Sequence, residues 1–221
     1  MDQDIADSIK IGDNNQLKEK LKENPSIADI QMESGISLLQ YAVYCRNAEA
    51  IDLIKKYRKL DLNIFEAACT GDNKIVMQLL RKNPELLNAF SIDGFTLLGL
   101  ASYFGHFPLV KSLLKKGADP NTQSNNQFKV APIHSACSIS NYEITELLLK
   151  NGANVDARQL HDYTPLHSAA HNGRIEIAKL LIDNGADVNA KTDDGKTPLF
   201  IALEKDFKDT ADLIVNYGGQ L

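Results

Sequence analysis

The chain has 221 residues, 43% of them hydrophobic, and a formal net charge of −5. That charge argues against a backbone-reading nucleic-acid binder, which needs a basic face, and no apolar run approaches the ~18 residues of a membrane span. The segment Met1 to Ser8 is polar and acidic, unlike a secretion signal. Cys45, Cys69 and Cys137 are scattered without a CxxC pair, as in a reducing compartment. A cytoplasmic globular chain, monomeric and bound to neither nucleic acid nor membrane, is expected.

Self-similarity organises the sequence. One small residue of a short helix recurs at Ser8, Ala42, Ala67, Ala101, Ala136, Ala169 and Ala202, at spacings of 34, 25, 34, 35, 33 and 33. In chain order this predicts a single domain over 1–221 built from about seven units, at 3–34, 35–59, 60–90, 91–125, 126–158, 159–191 and 192–221. The first unit carries GDNNQLKEKLKENP from Gly12 and the third GDNKIVMQLLRKNP from Gly71, with 13 residues from Gly to Pro in both. These two segments lie 59 residues apart, equal to the two intervening spacings together. Lys18, Glu19, Lys20, Lys22 and Glu23 make the first unit polar enough to act as a cap.

The sixth unit shows the mechanics most clearly. Pro165 suits the first turn of a helix, where its missing N–H has no intrahelical partner, and Thr164 before it can cap that turn. Leu166, Ala169 and Ala170 share one face, the two alanines allowing close helix approach. Gly173 ends the helix in a left-handed turn. Ile175, Ala178, Leu181 and Ile182 then mark a second amphipathic helix, stopped by Asn184-Gly185. Two helices this short cannot bury their own apolar face, but stacked copies can.

Thr164-Pro165-Leu166-His167, Ala169-Ala170, Gly173, Leu180-Leu181 and Gly185-Ala186-Asp187-Val188-Asn189 together resemble an ankyrin repeat. The pattern recurs at Pro132-Ile133-His134 with Gly152-Ala153-Asn154-Val155-Asp156, and at Thr96-Leu97-Leu98 with Gly117-Ala118-Asp119-Pro120-Asn121. The resemblance is specific over about residues 91–221 and rests on helix pattern and phase before that. It implies an all-α repeat solenoid of stacked helix–turn–helix units with β-turn fingers, whose inner helices and finger tips grip protein partners.

Departures from the repeat are informative. The 25-residue spacing predicts that one finger is missing and that Lys59-Leu60-Asp61 joins helices directly. The run Gln123 to Lys129 lies where the period is two residues long, so its finger should be extended. Ser140 and Asp206 replace the helix-turn glycine and should strain those turns. Lys55-Lys56-Tyr57-Arg58-Lys59 looks like a basic import signal but reads better as the solvated end of a helix.

Candidate chemistry is sparse. His167 and His171, at i and i+4, share a helix face as a metal site would need, yet Ser168 stands where a zinc protease has glutamate, and no ligand set is complete. The resemblance makes His134 and His167 structural. Cys137 occupies a small buried slot, and packing explains Cys45 and Cys69. No catalytic, metal or cofactor site is expected. Recognition is better supported. The resemblance turns Tyr103 and Phe104, Ser138 and Ile139, and His171 and Asn172 toward the concave side, and the fingers add Phe95, Phe128 and Tyr163, where exposure is expected. Aromatics are favoured interface anchors. The expected function is a non-catalytic scaffold or adaptor for a protein partner that the sequence does not name. The alternative is a regulatory or inhibitory subunit that occludes one partner enzyme's active site.

Overall fold

The computed structural model describes residues 2–221, with side chains from Asp4 onward. Among the described residues fourteen α-helices alternate with turns, and extended pairing is confined to isolated bridges. The chain divides into two compact units, Met1–Leu79 and Leu80–Leu221.

The first unit contains α1 (Asp2–Ile11), α2 (Asn14–Glu23), α3 (Leu38–Tyr44), α4 (Ala48–Tyr57), α5 (Ile64–Cys69) and the start of α6 (Asn73–Lys82). Side-chain caps set its helix starts. Asp13 accepts from the Gln16 N–H, and Ser37 with Gln40 and Asn63 with Glu66 form reciprocal capping boxes. α1 packs on α2 and α3 on α4 around Ile5, Ile9, Leu17, Leu21, Leu38 and Ile54, all buried.

Where the short spacing predicts a missing finger, α4 runs to Tyr57 and α5 begins at Ile64 with no bridge between them. A buried ion network holds this linker. Arg58 Nη1 and Nη2 both lie 2.9 Å from the Glu66 carboxylate, and Arg58 Nε donates to the Leu60 carbonyl at 3.0 Å. Asp29 lies 3.5 Å from Arg58 and accepts the Lys59 and Leu60 N–H groups. Arg58 and Glu66 side chains are 8% and 1% exposed, so the end of the basic run is not solvated. The sequence-based reading holds for Lys55 and Lys56, exposed in the last turn of α4, and fails for Arg58. Arg58→Ala should destabilise the chain by about 3–5 kcal/mol, because it strands the buried Glu66 charge. Lys59→Ala should change little, and chemical denaturation of the two variants would show the difference.

The second unit contains α7 (Leu97–Tyr103), α8 (Phe107–Lys115), α9 (Pro132–Ser138), α10 (Tyr142–Lys150), α11 (Pro165–His171), α12 (Ile175–Asp183), α13 (Pro198–Glu204) and α14 (Lys208–Asn216). α7, α9, α11 and α13 pack in chain order as an inner row, and α8, α10, α12 and α14 do the same as an outer row. Ala101, Ala136, Ala169 and Ala202 lie in the inner row with no exposed surface. Thr164 caps α11 and Pro165 occupies its first turn, as their order in the sequence predicts.

Four fingers project from this unit, one before α7 and one between each successive helix pair. Ser91, Gln159 and Thr192 N–H groups reach the carbonyls of Phe95, Tyr163 and Lys196 at 2.9, 3.1 and 3.0 Å. The Ser124 N–H reaches Val130 at 2.9 Å, closing a loop two residues longer, which is the predicted extension. Neighbouring fingers join through backbone: Asn125 N–H donates to Gly94 O, Leu160 to Phe128 O and Asp193 to His161 O. Gly94 (φ +88°) permits the first junction, since a Cβ there would lie 2.5 Å from Asn125 Oδ1.

Ser140 and Asp206 sit in left-handed turns at φ +59°, and so does Arg46 at φ +54°, a third case that the sequence reading does not single out. A left-handed L-residue is strained, but glycine costs more entropy to order, so the net gain from replacement is modest. Asp206→Gly should raise stability by about 0.5–1 kcal/mol, because the ion pair that Asp206 makes with an exposed Lys208 at 3.7 Å contributes little. Ser140→Gly should gain less, since Ser140 Oγ accepts from Arg174 Nε at 2.8 Å. Equilibrium unfolding curves would rank the two.

Candidate protein-binding face

The residues ending the inner helices form two rows in the second unit. Tyr103, Ser138, His171 and Glu204 occupy one row and all are exposed. Phe104, Ile139, Asn172 and Lys205 occupy the other, the first three half-buried. Tyr103 is 40% exposed and meets the Phe104 ring edge-on at 5.1 Å. Phe104 in turn lies 6.2 Å from the His106 ring. Ile139 packs at the turn of the preceding pair, its Cδ1 3.5 Å from where a Cβ on Gly105 would stand. The Ser138 hydroxyl and the Asn172 amide donate back to their own helices, to Ser135 O and Ser168 O.

The three finger aromatics differ. Phe128 is 46% exposed, as expected. Phe95 and Tyr163 are only half-buried in the same sense as Phe104, which corrects the expectation of open exposure for them. Tyr163 stacks 5.1 Å from the His167 ring and its hydroxyl donates to the His167 carbonyl at 3.3 Å. Burial pushes that hydroxyl up to about 12. Tyr163 thus supports the stack as well as the surface.

An open depression of about 820 Å³ lies between fingers and inner helices, lined by Phe128, Leu160, Tyr163, His171, Ile201 and Glu204 among others. It unites three of the nine residues singled out in the sequence. Phe95, Tyr103, Phe104, Ser138, Ile139 and Asn172 are not part of its lining. It also adds Leu160, Ile201 and Glu204, which the sequence reading does not find. Leu160 reaches the depression because the two residues after it, His161 and Asp162, turn left-handed at φ 64° and 55°. No glycine signals that turn in the sequence. On the rim, Lys196 Nζ sits 3.3 Å from Glu204 Oε1 and 5.5 Å above the Phe200 ring.

His167 and His171 do not share an environment, because His167 is fully buried and His171 exposed. Each buried histidine ties its helix to the next finger. His134 Nδ1 accepts the Ala131 N–H, and its Nε2 reaches Ala157 O at 2.9 Å and Tyr163 O at 3.1 Å. His167 Nδ1 accepts from Thr164, and its Nε2 reaches Lys196 O at 3.2 Å. Among the described residues, no group of three His, Cys, Asp or Glu side chains could hold a metal ion. The three cysteines are free thiols, Cys69 and Cys137 buried and Cys45 half-buried. Burial pushes the Cys137 thiol up to about 12.

The chain belongs to the ankyrin-repeat family. The family model of ankyrin repeats (three copies) matches residues 39–124, 64–159, 100–192 and 134–221. Ankyrin repeats are generic protein–protein interaction modules, and the family is typically non-catalytic. Similar curated proteins include mouse ankyrin repeat and SAM domain-containing protein 6, 35% identical over 46% of this chain and 11% of that protein. They also include the ankyrin repeat and KH domain-containing protein mask-1 of Caenorhabditis elegans, 36% identical over 43% of this chain and 4% of that protein. Mouse RelA-associated inhibitor is 32% identical over 49% of this chain and 13% of that protein. The chain thus spans only a small part of these relatives' length. No helix among the described residues is long and apolar enough to cross a membrane.

The buried histidines give the fold a dependence on pH. Burial lowers the His134 pKa from 6.5 to about 4, and burial lowers that of His167 as well. The fold therefore holds neutral imidazole, while the unfolded chain takes up a proton once the pH drops below 6.5. Stability is complete above that value and is lost as pH falls toward 4. His134 alone should account for a loss of about 2 kcal/mol between about pH 7.5 and about pH 5. Urea titrations at both values would measure it, and His134→Gln should flatten the profile.

Proposed function

We propose that this chain is a non-catalytic cytoplasmic protein-binding module whose partner docks along the finger-side face of the second unit. The observation that carries the reading is the depression in which Phe128, Leu160, Tyr163 and Ile201 converge beside His171 and Glu204. Apolar rings and branched chains framed by a few polar groups are what a protein interface core requires. Tyr103 and Phe104 extend the apolar surface at the other end of the same inner row. Ser138, Ile139, Asn172 and Phe95 serve as flanking contacts.

An adaptor role fits this face. The second reading is a subunit that occludes one partner enzyme, and it draws on the similarity to RelA-associated inhibitor. A partner that is a single stoichiometric enzyme, inhibited on binding, would select the second reading.

Cross-linking in native lysate should join the partner to Lys129, Lys196 and Lys205 around the finger side, and not to Lys150 or Lys179 on the outer helices. Phe128→Ala and Tyr103→Ala should each weaken binding by about 2 kcal/mol, as truncated hot-spot aromatics do. Stability should change much less, because both rings already meet solvent. Leu181→Ala should show the reverse, a loss of about 2–5 kcal/mol in stability from a cavity in the stack. Cross-links confined to the outer helices, or full binding in both aromatic variants, would overturn the proposed face.

A further inference from the structure

The outer helices of the second unit are unequal in charge. α10, α12 and α14 carry six carboxylates, Glu143, Glu146, Glu176, Asp183, Asp209 and Asp212, against three lysines. α8 carries Lys111 and Lys115 with no carboxylate, and Lys116 follows as its C-cap. α6, equally without carboxylates, ends in Arg81 and Lys82. Arg81 and Lys82 stand one repeat before Lys115 and Lys116. The loops that follow these two helices are joined where the Asp119 N–H donates to Asn88 Oδ1 at 3.2 Å. Lys111 lies one turn before Lys115 on the same helix face. All five cations are exposed, and among the described residues none of them takes part in an ion pair. One repeat further on, the column reaches Lys150, already paired with Glu146 at 2.8 Å, and then Asp183.

A helix macrodipole favours cations in the last turn, but that pull is the same for every outer helix, and the last turns of α12 and α14 hold no basic residue. The dipole therefore does not account for the segregation. Five like charges on one edge repel one another, and negative charge from outside relieves them. The chain's neighbouring carboxylates do not supply it. Asp119 accepts the Asn121 N–H and the Thr122 hydroxyl, and Glu85 pairs with none of the five. No large apolar or aromatic side chain of α6 or α8 is exposed among the described residues. The edge thus lacks the rings on which single-stranded bases stack and the apolar side chains that enter a membrane. An extended acidic peptide fits it better. In polyproline II form, residues three apart share a face and stand about 9 Å apart, close to the ~8–10 Å between packed helices. We propose that the edge formed by Arg81, Lys82, Lys111, Lys115 and Lys116 docks an acidic, extended segment of a partner protein. None of the five lines the finger-side depression, so the two surfaces can be occupied together and tested apart.

Fluorescence anisotropy with a labelled oligoglutamate peptide would test the edge. The wild-type chain should bind the peptide, and more weakly as salt is raised. Lys115→Glu/Lys116→Glu should weaken binding by about tenfold or more with an unchanged helical spectrum, since both side chains are exposed. Lys115→Gln/Lys116→Gln, which sets no negative charge against the helix dipole, should lose less in the same direction. Lys179→Glu/Lys208→Glu makes the same change in net charge on the acidic helices and should bind the peptide like wild type. A wild-type chain that does not bind, full binding in the Lys115→Glu/Lys116→Glu variant, or an equal loss in the Lys179→Glu/Lys208→Glu variant would each overturn the proposal. So would a thymidine oligonucleotide or a phosphatidylserine vesicle held more tightly than the peptide.

Discussion

A helix pair with seven residues on one side and nine on the other encloses no volume, so each apolar face must be covered by the next pair along the chain. That constraint sets which side chains the second unit can use. Where inner helices meet, the register admits only small groups, and Ala101, Ala136, Ala169 and Ala202 fill it with no exposed surface. The outer helices meet farther out and accept Leu113, Leu148, Leu181 and Ile214 in the corresponding column, all fully buried. Stability built this way is a sum over neighbouring interfaces, and damage to one column propagates by loss of its neighbours' cover.

Polar groups caught between pairs have to be satisfied across the same interfaces. The histidines do this for the fingers, and asparagine and aspartate do it for the loops after the outer helices. Asn121 donates to Gly152 O and accepts the Asn154 N–H, Asp156 accepts the Asp187 N–H, and Asn189 repeats the arrangement with Gly218 and Gln220. Each such bond spans roughly one repeat, so the repeat length is encoded twice, once by packing and once by hydrogen bonding. Replacement of the histidine by Gly99 at one end of its column and by Phe200 at the other leaves the clamp to His134 and His167 alone. The loss of stability expected in acid rests on those two buried imidazoles.

Much of this was legible in the sequence because period and packing are the same fact. The positions of the small residues place every inner helix, the shortfall after Ala42 marks the absent finger, and the surplus after Gln123 marks the long one. Arg58 was not legible. A basic run normally ends a helix in water, and only the fold brings Asp29 and Glu66 to it from opposite sides in sequence. Leu160 escaped for a related reason, since its place depends on left-handed backbone at His161 and Asp162, residue types that do not require it. Tyr163 was legible as an exposed ring and proved to be divided in its work, because its hydroxyl bonds the helix beneath it.

The same division explains why family membership shows the scaffold and leaves the partner open. Residues that hold the stack recur in register, whereas those at the helix ends change from one pair to the next: Tyr103, Ser138, His171 and Glu204 share a row but no chemistry. Along that row the surface passes from aromatic, through small and polar, to charged, with Lys196 and Glu204 paired at the far end. A partner lying along it would meet the Tyr103 ring at one end and, at the other, the apolar depression of Phe128, Leu160, Tyr163 and Ile201 bordered by His171 and Glu204. Orientation would then come from the order of the side chains, which the scaffold carries at little cost because none of them bears the stack.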